Sequence, residues 1–471
     1  MRETSIIILT YNNLKYNKGV LESIKKNTKK DTYEVIIVDN ASTDGTREWL
    51  QEQQGIKVIL NDENIGFPKG CNIGITYANL ENDILLLNND IEVTHNWLEN
   101  LQIALHSDPK VGAVQGLDAH HFHGMFNENG DPIDFNADDT SEIHIFATQN
   151  NVSNSNRWKY VNFLAGYCFL IKRHVLDQIG LLDERFSPGN FEDDDLSYRT
   201  LAAGYYLLRC HDCFIQHFGS KSFRNDEISY WKLIDTNAKK FIEKWGFHAW
   251  DKKHQQNNLL RLLEADETNP IHVLQIGSRL GSTLFDVKNK YPFAHLYGIE
   301  TNENYGAVMK GIINLSTKPA TEFPLEFEKQ LFDFILFGEN FEQVGDPHEF
   351  LVKIKEYLKP NGQIIFNIKN IMHASVLENL LNGHWHYTDT ILKKDDYTFL
   401  TAADIERLSK ECGYYNTLIF HWYSQAADES FIKSLCAITD EGKSYLYRTY
   451  LYTVRLQKPM IAKTNLNYNV K

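Results

Sequence analysis

Short runs of apolar residues alternate with helical patterns along the first quarter of the chain. The apolar runs are continuous, which is typical of strands buried on both faces of a sheet. They lie at residues 4–9, 34–39, 56–60 and 83–88, and the helical patterns lie near 17–27, 44–53, 69–79 and 94–106. This order predicts an α/β fold with a parallel, doubly wound sheet, whose ligands bind at the carboxyl ends of the strands.

Polar residues follow each of the four apolar runs directly. The groups are Thr10-Tyr11-Asn12, Asp39-Asn40, Asn61-Asp62 and Asn88-Asn89-Asp90. A carboxylate at the end of a buried strand is costly unless it meets a hydrogen-bond donor or a metal ion. Several such groups on one sheet edge therefore predict a binding cleft there.

Residues 116–158 interrupt this rhythm with a stretch rich in Asn, Asp, His and Gly. We expect a long loop beside the cleft, of the kind that often carries specificity. For its histidines, His120, His121 and His123, a solvent-exposed cluster is favoured over a metal site. Two further strand-like runs, YYLLRC and CFIQHF, are predicted to close the first domain near residue 250.

A second alternation of strand and helix patterns begins at residue 271, after a polar stretch. Near its end, residues 415–423 and 445–456 predict a long antiparallel pair of strands. We therefore predict two α/β domains, at residues 1–250 and 269–460, joined by a linker at 251–268 and followed by a tail at 461–471.

Charge and apolar content narrow the range of functions. The formal net charge is −14, which argues against a nucleic-acid partner, because such partners are held by clustered Lys and Arg. The longest apolar run, residues 163–171, is too short for a membrane span, and the N-terminus lacks the pattern of a signal peptide. We expect a cytoplasmic protein with reduced cysteines, and leave open contact with a membrane surface and oligomer formation.

Four carboxylates stand side by side at Glu192, Asp193, Asp194 and Asp195, ahead of a helical pattern. Acidic residues favour the first turn of a helix, where they cap free N–H groups and complement the helix dipole. The alternative is a catalytic base beside a metal-bound, negatively charged substrate.

Seven segments in order make residues 4–225 resemble the inverting glycosyltransferases of family 2, which have the GT-A fold. They are ILTYNN, VDNASTDGT, NIGFPKGCNIGI, LLLNNDIEV, FLAGYCFLIKR, GLLDERFSPGNFEDDDLSYR and QHFGS. The resemblance implies a nucleotide-diphosphate-sugar donor and a divalent metal, Mn²⁺ or Mg²⁺. It implies Asp90 as a metal ligand and His217 as a further ligand or a diphosphate contact. The first position of the family's D-x-D motif is Asn88 here, which puts metal affinity in doubt more than activity.

The same resemblance assigns the donor nucleotide to the first strand ends. It implies that Asp39 reads the uracil or thymine ring and that Asn88 contacts the ribose. The other implied nucleotide contacts are Thr10, Tyr11, Asn12, Asn64, Gly66, Lys69 and Asn89. Asn12 is also a good turn or capping residue, so a purely structural role for it stays open.

Both interpretations of the acidic run, helix capping and a catalytic base, apply to different residues of it. In the family's E-D-x-D pattern the Asp after the Glu is the base, which corresponds to Asp193. Asp194 stands at the variable position and is expected to be expendable. Glu192 and Asp195 are expected to cap the helix or orient the acceptor, and Gly166 to line the site beside the sugar and the base.

Residues 271–459 resemble a class I S-adenosylmethionine-dependent methyltransferase, with a Rossmann-like sheet. Gly277 and Gly281 stand in the cofactor loop, and Glu300 at the position that contacts the cofactor ribose. Arg279 replaces the middle glycine of the loop, and Gln275 replaces the usual acid. These departures favour a domain that binds or positions the acceptor, or forms a dimer, over an active methyltransferase.

The sequence thus predicts a metal-dependent, inverting glycosyltransferase that uses a UDP- or dTDP-sugar. Its acceptor is a glycan or a protein, in bacterial surface polysaccharide synthesis or protein glycosylation. One alternative is a bifunctional glycosyl- and methyltransferase that also binds S-adenosylmethionine. A second alternative is a non-catalytic glycan-binding scaffold.

Overall fold

The protein is described by a computed structural model covering residues 3–118, 140–219, 227–338, 341–387, 391–424 and 428–460. It divides into two compact units, the first formed by residues 1–254 and 307–312, the second by residues 255–306 and 313–471. The His120, His121 and His123 cluster and the tail at 461–471 lie outside the described residues. No helix in the described ranges has both the length and the apolar character needed to cross a membrane.

The N-terminal unit is built on one mixed sheet. Its strands are Thr4–Thr10 (β1), Tyr33–Asn40 (β2), Lys57–Asn61 (β3), Asp83–Asn88 (β4), Ile91–Glu92 (β5), Val111–Asp118 (β6), Trp158–Val161 (β7), Cys168–Ile171 (β8) and Tyr206–His217 (β9). Its helices are Leu14–Asn27 (α1), Thr46–Gln51 (α2), Phe67–Thr76 (α3), Trp97–Leu105 (α4), Thr140–Asn150 (α5), Arg173–Ile179 (α6), Glu192–Ala202 (α7) and Glu227–Trp245 (α8).

The sheet order is β3-β2-β1-β4-β8-β6-β9-β5, and β7 pairs with β9. Strands β1 to β4 run parallel, whereas β8 is antiparallel to both β4 and β6. The predicted strands and helices of the first quarter are confirmed, and the ends of β1, β2 and β4 meet at one edge.

Helix α3 packs unusually close to β1. A Cβ atom at Gly74 would lie 2.6 Å from Ile7 Cγ2, and one at Gly70 would overlap the Leu9 side chain. The small residues let the helix backbone approach the sheet. This packing brings the start of α3 to the carboxyl end of β1.

The two short strands predicted from YYLLRC and CFIQHF form one strand, β9. Its register against β6 shifts between Gly116 and Leu117, which face Cys210 and Phe214. The extra residues form an irregularity within the ladder, so the polar break in the sequence marks a bulge and not a strand end.

The C-terminal unit contains a seven-stranded sheet with the order β12-β11-β10-β13-β14-β16-β15. The strands are His272–Ile276 (β10), His295–Ile299 (β11), Asn314–Ser316 (β12), Phe332–Phe337 (β13), Leu358–Lys369 (β14), Asn416–Tyr423 (β15) and Thr449–Gln457 (β16). The helices are Asn257–Leu260 (α9), Ser282–Lys290 (α10), Glu303–Met309 (α11), Pro347–Ile354 (α12), Ala374–Leu381 (α13), Ala402–Glu411 (α14), Glu429–Ile438 (α15) and Ser444–Arg448 (α16). The predicted antiparallel pair near the end is confirmed by β15 and β16.

The stretch predicted as a linker, residues 251–268, is partly packed structure. It contains helix α9, and Leu259 and Leu263 are fully buried. The polar residues that suggested a linker flank these leucines. All six cysteines of the chain are free and buried.

Candidate active site

A cavity of about 520 Å³ opens at the carboxyl ends of β1 and β4 in the N-terminal unit. Most residues singled out from the sequence line it, and these are Thr10, Tyr11, Asn64, Gly66, Asn88, Asn89, Asp90, Gly166, Glu192, Asp193 and His217. Asn12, Asp39, Lys69 and Asp195 do not line it. The parallel strands and α7 therefore bring distant segments of the chain together around one space.

A buried network of polar side chains fixes the floor of the cavity at the end of β1. The Thr10 hydroxyl donates to Asn17 Oδ1 at 2.7 Å, and the Asn89 amide donates to the same oxygen at 2.9 Å. Asn17 lies on α1 and was not identified from the sequence, because it resembles any polar residue of a helix. The network holds the loop after β4, which carries Asp90, against β1.

Asp39 is fully buried at the end of β2. Its Oδ2 accepts a hydrogen bond from the Ser42 N–H at 3.1 Å and lies 3.3 Å from the Arg47 guanidinium. Its Oδ1 finds no hydrogen-bond partner within the described part of the chain. Arg47 was not identified from the sequence.

Asn12 and Lys69 are placed away from the cavity. The Asn12 side chain accepts a hydrogen bond from the Thr43 N–H at 2.8 Å, and its own N–H donates to the Ser42 hydroxyl at 2.7 Å. Asn12 thus ties the loop after β1 to the loop after β2, in agreement with a structural role. Lys69 is exposed on α3.

Gly66 stands where two loops meet. Its φ of +86° lies in the region that favours glycine, and a Cβ atom there would lie 2.8 Å from Pro188 Cα. The next residue, Phe67, donates its N–H to the Pro188 carbonyl at 2.7 Å. This close approach joins the start of α3 to the turn that precedes the acidic cluster.

Asp90 and His217 form a pair of metal-ligand type. His217 Nε2 lies 3.2 Å from Asp90 Oδ1 and 3.5 Å from the Asn88 amide nitrogen. Asp118 lies at the end of β6, and its Oδ1 accepts a hydrogen bond from the main-chain N–H of His217 at 3.2 Å. The Oδ2 of Asp118 lies 3.9 Å from the ring nitrogen Nδ1 of His217. Asp118 was missed because β6 was not predicted and residues 116–158 were expected to form a loop.

The ring of His217 is held in place by stacking on Tyr167. The two ring centroids lie 5.2 Å apart at an interplanar angle of 23°. The Tyr167 hydroxyl donates to the Gly116 carbonyl at 2.9 Å, which fixes its own ring.

Asp193 is oriented by main-chain groups at the first turn of α7. Its Oδ2 accepts the Gly166 N–H at 2.9 Å, and its Oδ1 accepts the Asp194 N–H at 2.9 Å. A Cβ atom at Gly166 would lie 3.4 Å from the Asp193 Cβ, so glycine leaves little space between the two segments. Asp193 lines the cavity with its carboxylate in a fixed position.

The other three carboxylates of the cluster are buried, each in a different environment. Burial and the neighbouring carboxylates raise the pKa of Glu192 well above its usual range, and Glu192 Oε2 has no hydrogen-bond partner in the described ranges. Asp195 accepts from Arg199 Nε at 2.8 Å and from Trp245 Nε1 at 2.9 Å, so it ties α7 to α8 outside the cavity. The run of acids is tolerated because each charge is paired, neutralised or held by N–H donors.

Asp194 is buried against the ammonium of Lys252. Burial, partly offset by Lys252, raises the pKa of Asp194 to about 6. Asp194 is still expected to be expendable for turnover, but its replacement should lower stability, because replacing one partner of a buried ion pair is costly. Sequence position alone did not reveal a partner that lies 58 residues away.

The predicted cofactor loop of the C-terminal unit keeps its glycines, but Glu300, expected to contact a cofactor, forms hydrogen bonds to main-chain groups of the protein. Gly277 and Gly281 both have a φ of +71°, and Arg279 between them has a φ of 45°. The oxygens of Glu300 accept the N–H groups of Arg279 at 2.7 Å and Asn302 at 2.9 Å.

A segment of the chain also crosses the sheet edge where a ligand of this fold would bind, at the switch point between β10 and β13. The Gln256 N–H donates to the Thr283 hydroxyl at 3.1 Å, and the Gln256 amide oxygen accepts from Asn367 at 2.9 Å. A Cβ atom at Gly338 would lie 2.8 Å from Gln256 Cδ. Gln256 therefore fills part of the crevice in which the cofactor of this fold would lie, and no methyl-transfer step is derived from these residues.

Comparison with known families agrees with this division of the chain. Residues 5–180 match the family model "Glycosyl transferase family 2", and residues 247–419 match the model "Methyltransferase domain". The predicted pair of folds is thereby confirmed.

Individual relatives match about half of the chain. The low-salt glycan biosynthesis hexosyltransferase Agl10 of Haloferax volcanii is 25% identical over 240 residues, which cover 50% of this chain and 73% of the relative. The uncharacterized protein y4gI of Sinorhizobium fredii is 28% identical over 210 residues, which cover 43% of this chain and 23% of y4gI. The chain therefore spans less than a quarter of the length of y4gI.

Among solved structures, the mannosyltransferase PcManGT of Pyrobaculum calidifontis, in complex with GDP-Man and Mn²⁺, is similar at 18% identity and a TM-score of 0.37. The similarity covers 66% of this chain and 73% of that chain. Taken with the family models, the motifs place a glycosyltransferase family 2 domain in the N-terminal half of this chain and a methyltransferase-type domain in its C-terminal half.

Proposed function

We propose that the N-terminal unit transfers a sugar from a UDP- or dTDP-sugar to a hydroxyl group, with inversion at the anomeric carbon. The observation that carries this proposal is the shared cavity, which is lined both by the Asp90 and His217 pair and by the fixed Asp193 carboxylate. A binding scaffold needs no such combination, since an oriented base serves only a reaction.

The proposed reaction is a single displacement. The oxygen of the acceptor hydroxyl attacks the anomeric carbon, and the bond between that carbon and the phosphate oxygen breaks. Asp193 accepts the hydroxyl proton, and the nucleoside diphosphate leaves with the bonding electron pair. The Gly166 and Asp194 N–H groups keep the Asp193 carboxylate in one orientation, which lowers the entropic cost of reaching the transition state.

A divalent cation fits the residues beside the leaving group. Cis ligands on an octahedral ion lie about 3 Å apart, and Asp90 Oδ1 and His217 Nε2 are separated by 3.2 Å. Within the described ranges no three His, Cys, Asp or Glu side chains form a metal site, so the remaining ligands would come from the donor phosphates and water. The histidine nitrogen suits Mn²⁺ better than Mg²⁺. When bound, the ion supplies Lewis-acid stabilisation of the diphosphate.

Asp39 is proposed to bind the uracil or thymine ring of the donor. Its Oδ1 is a buried acceptor without a partner in the described ranges, and such an acceptor suits a ring N–H. Because Asp39 is fully buried, access to it requires a shift of the loop after β2.

The proposed acceptor is a glycan or a protein, and the proposed process is surface polysaccharide synthesis or protein glycosylation. The six free, buried cysteines favour a reducing compartment such as the cytoplasm. For the C-terminal unit we propose a role in positioning the acceptor or in oligomer formation, because its cofactor crevice is crossed by Gln256.

Slow hydrolysis of the donor, with water as the acceptor, tests this function without knowledge of the natural acceptor. Full-length protein with Mn²⁺ is incubated with α-linked UDP-glucose, UDP-galactose, UDP-N-acetylglucosamine and dTDP-glucose. Proton NMR before mutarotation should show the β-anomer of the released sugar first. The α-anomer first, or no turnover of any donor, would contradict the proposal.

The assignment of the base is tested by a matched pair of neighbouring variants. Asp193→Asn should lower donor turnover by about 100-fold or more, since general-base catalysis contributes about that much, and should leave UDP affinity unchanged. Asp194→Asn should retain most turnover and lose stability. Full turnover by Asp193→Asn together with an inactive but folded Asp194→Asn would reverse the assignment.

A further inference from the structure

An aromatic wall lines one part of the active-site cavity. It consists of Tyr230 and Trp231 on α8 and of Trp250 in the 3-10 helix Ala249–Lys253. Trp231 and Trp250 are each 57% exposed, although both lie in the cavity lining. Large aromatic faces open to solvent in a cavity are a feature of binding sites, because ordinary packing would bury them.

The wall is attached to the acidic cluster. The ammonium of Lys252, two residues after Trp250, pairs with Asp194 and lies 4.2 Å from the centroid of the Phe163 ring. The Lys252 carbonyl also accepts the Asn162 amide at 3.1 Å. Trp250 is therefore fixed relative to Asp193, the neighbour of Asp194 in the chain.

Helix α8 is anchored to the same region. The Asn237 amide donates to the Phe186 and Gly189 carbonyls at 2.7 Å and 2.8 Å, and Lys244 Nζ lies 2.5 Å from Asp195 Oδ1. Both elements of the aromatic wall are thus tied to residues 186–195 by the contacts described above. The nucleotide region, by contrast, is built from the loops after β1 and β2 and from Asn64 and Gly66.

We propose that the aromatic wall binds a sugar ring of the acceptor, and this inference rests on the proposed glycosyl transfer. A pyranose presents C–H groups on its faces and hydroxyl groups at its edge. The indole rings of Trp231 and Trp250 offer apolar faces to the C–H groups, and the carboxylate of Asp193 in the same cavity offers an acceptor to a hydroxyl group. The acceptor is a saccharide, and the hydroxyl that faces Asp193 belongs to a sugar ring and not to a serine or threonine side chain.

The test measures binding of methyl glycosides to the full-length protein in the presence of UDP and Mn²⁺. Saturation-transfer NMR is recorded with the methyl glycosides of glucose, galactose, mannose and N-acetylglucosamine, and with the peptides Gly-Ser-Gly and Gly-Thr-Gly. We expect at least one glycoside to bind and the peptides not to bind. Trp250→Ala should weaken that binding by about tenfold or more, as loss of a central aromatic contact does.

Three controls keep the result interpretable. Trp250→Phe retains a ring and should restore most of the glycoside affinity. Tyr77→Ala removes a similarly exposed aromatic ring, 56% exposed, that does not line the cavity, and should change nothing. The UDP affinity of Trp250→Ala should stay within about twofold of that of the unchanged protein, since its indole is placed on the acceptor side.

Several outcomes would overturn the inference while leaving glycosyl transfer intact. These are unchanged glycoside affinity in both Trp250→Ala and Trp231→Ala, binding of the peptides in place of the glycosides, or donor hydrolysis without binding of any glycoside. Failure of the unchanged protein to bind UDP or to hydrolyse a donor would instead refute the proposed function, and the acceptor assignment with it.

Discussion

The Asp194 carboxylate faces the Lys252 ammonium together with the carboxylates of Asp193 and Asp195, and burial raises the pKa of Asp194 to about 6. In an unfolded chain the pKa of an aspartate is about 3.9. Between about pH 4 and pH 6 the folded protein therefore holds a proton that the unfolded chain has released. The Asp194 contribution to stability is present below about pH 4 and is lost as the pH rises through about 6.

Replacement of Asp194 by Asn removes this titration. The free energy of unfolding of the unchanged protein, minus that of Asp194→Asn, should fall as the pH rises from about 4 to about 6 and stay constant above about 7. Urea unfolding of both proteins across this range measures the difference. A difference that is flat or that rises over the same range would show that the pKa of Asp194 is not raised.

Residue types at the site were predictable from the sequence, but their partners were not. Asp90 and Asp193 were identified because each stands at a fixed place in a recognisable segment, and both line the cavity in the structure. Asp39 and Asp195 carry equally clear signals but do not line the cavity, and Arg47 and Trp245 contact them from elsewhere in the chain. Such contacts depend on how α2 and α8 pack, which no local pattern encodes.

At the scale of elements, the start of α3 is held by Gly66. Gly180, which follows α6, has nearly the same backbone conformation, with φ and ψ of 85° and 167° against 86° and 170° at Gly66. Nothing lies within 4 Å of a Cβ atom at Gly180, whereas one at Gly66 would lie 2.8 Å from Pro188 Cα. A side chain added at either position would therefore cost similar backbone strain. A steric overlap would arise only at Gly66.

Gly180→Ala should lower the free energy of unfolding by roughly 1–3 kcal/mol, the cost of a side chain in this region of backbone conformation. Gly66→Ala should lose clearly more, because the Pro188 main chain cannot move aside without displacing the turn before α7. UDP affinity should fall in Gly66→Ala and not in Gly180→Ala. Urea unfolding and calorimetric titration measure both effects, and equal losses in the two variants would contradict the proposed steric contact.

The elements themselves were largely predictable, because continuous apolar runs reveal strands that are buried on both faces. The runs at residues 4–9, 34–39 and 83–88 correspond to β1, β2 and β4. The prediction failed at β9, where a polar break at residues 211–212 indicated two strands, and it differed again at the expected linker. In both places pairing and packing with distant residues determine the structure.

At the scale of the whole molecule, each of the two α/β units has a sheet edge where a ligand of its fold would bind. Among the described residues, Asp90, Asp193 and His217 line the cavity at the N-terminal edge. The crevice at the β10 and β13 ends is crossed by Gln256, whose amide oxygen accepts from Asn367. We expect no heat of binding when S-adenosylmethionine is titrated into the full-length protein. Stoichiometric binding would contradict this and would favour the bifunctional alternative.

The most direct test of the glycosyltransferase assignment is calorimetric titration of UDP into the full-length protein, with and without Mn²⁺. The unchanged protein should bind UDP at least tenfold more tightly with Mn²⁺ than without it, because in the proposed site Asp90 and His217 share the ion with the diphosphate. Asp90→Asn should lose this dependence, and Asp193→Asn should keep it. An equal UDP affinity with and without Mn²⁺ in the unchanged protein, or no nucleotide binding at all, would contradict the account.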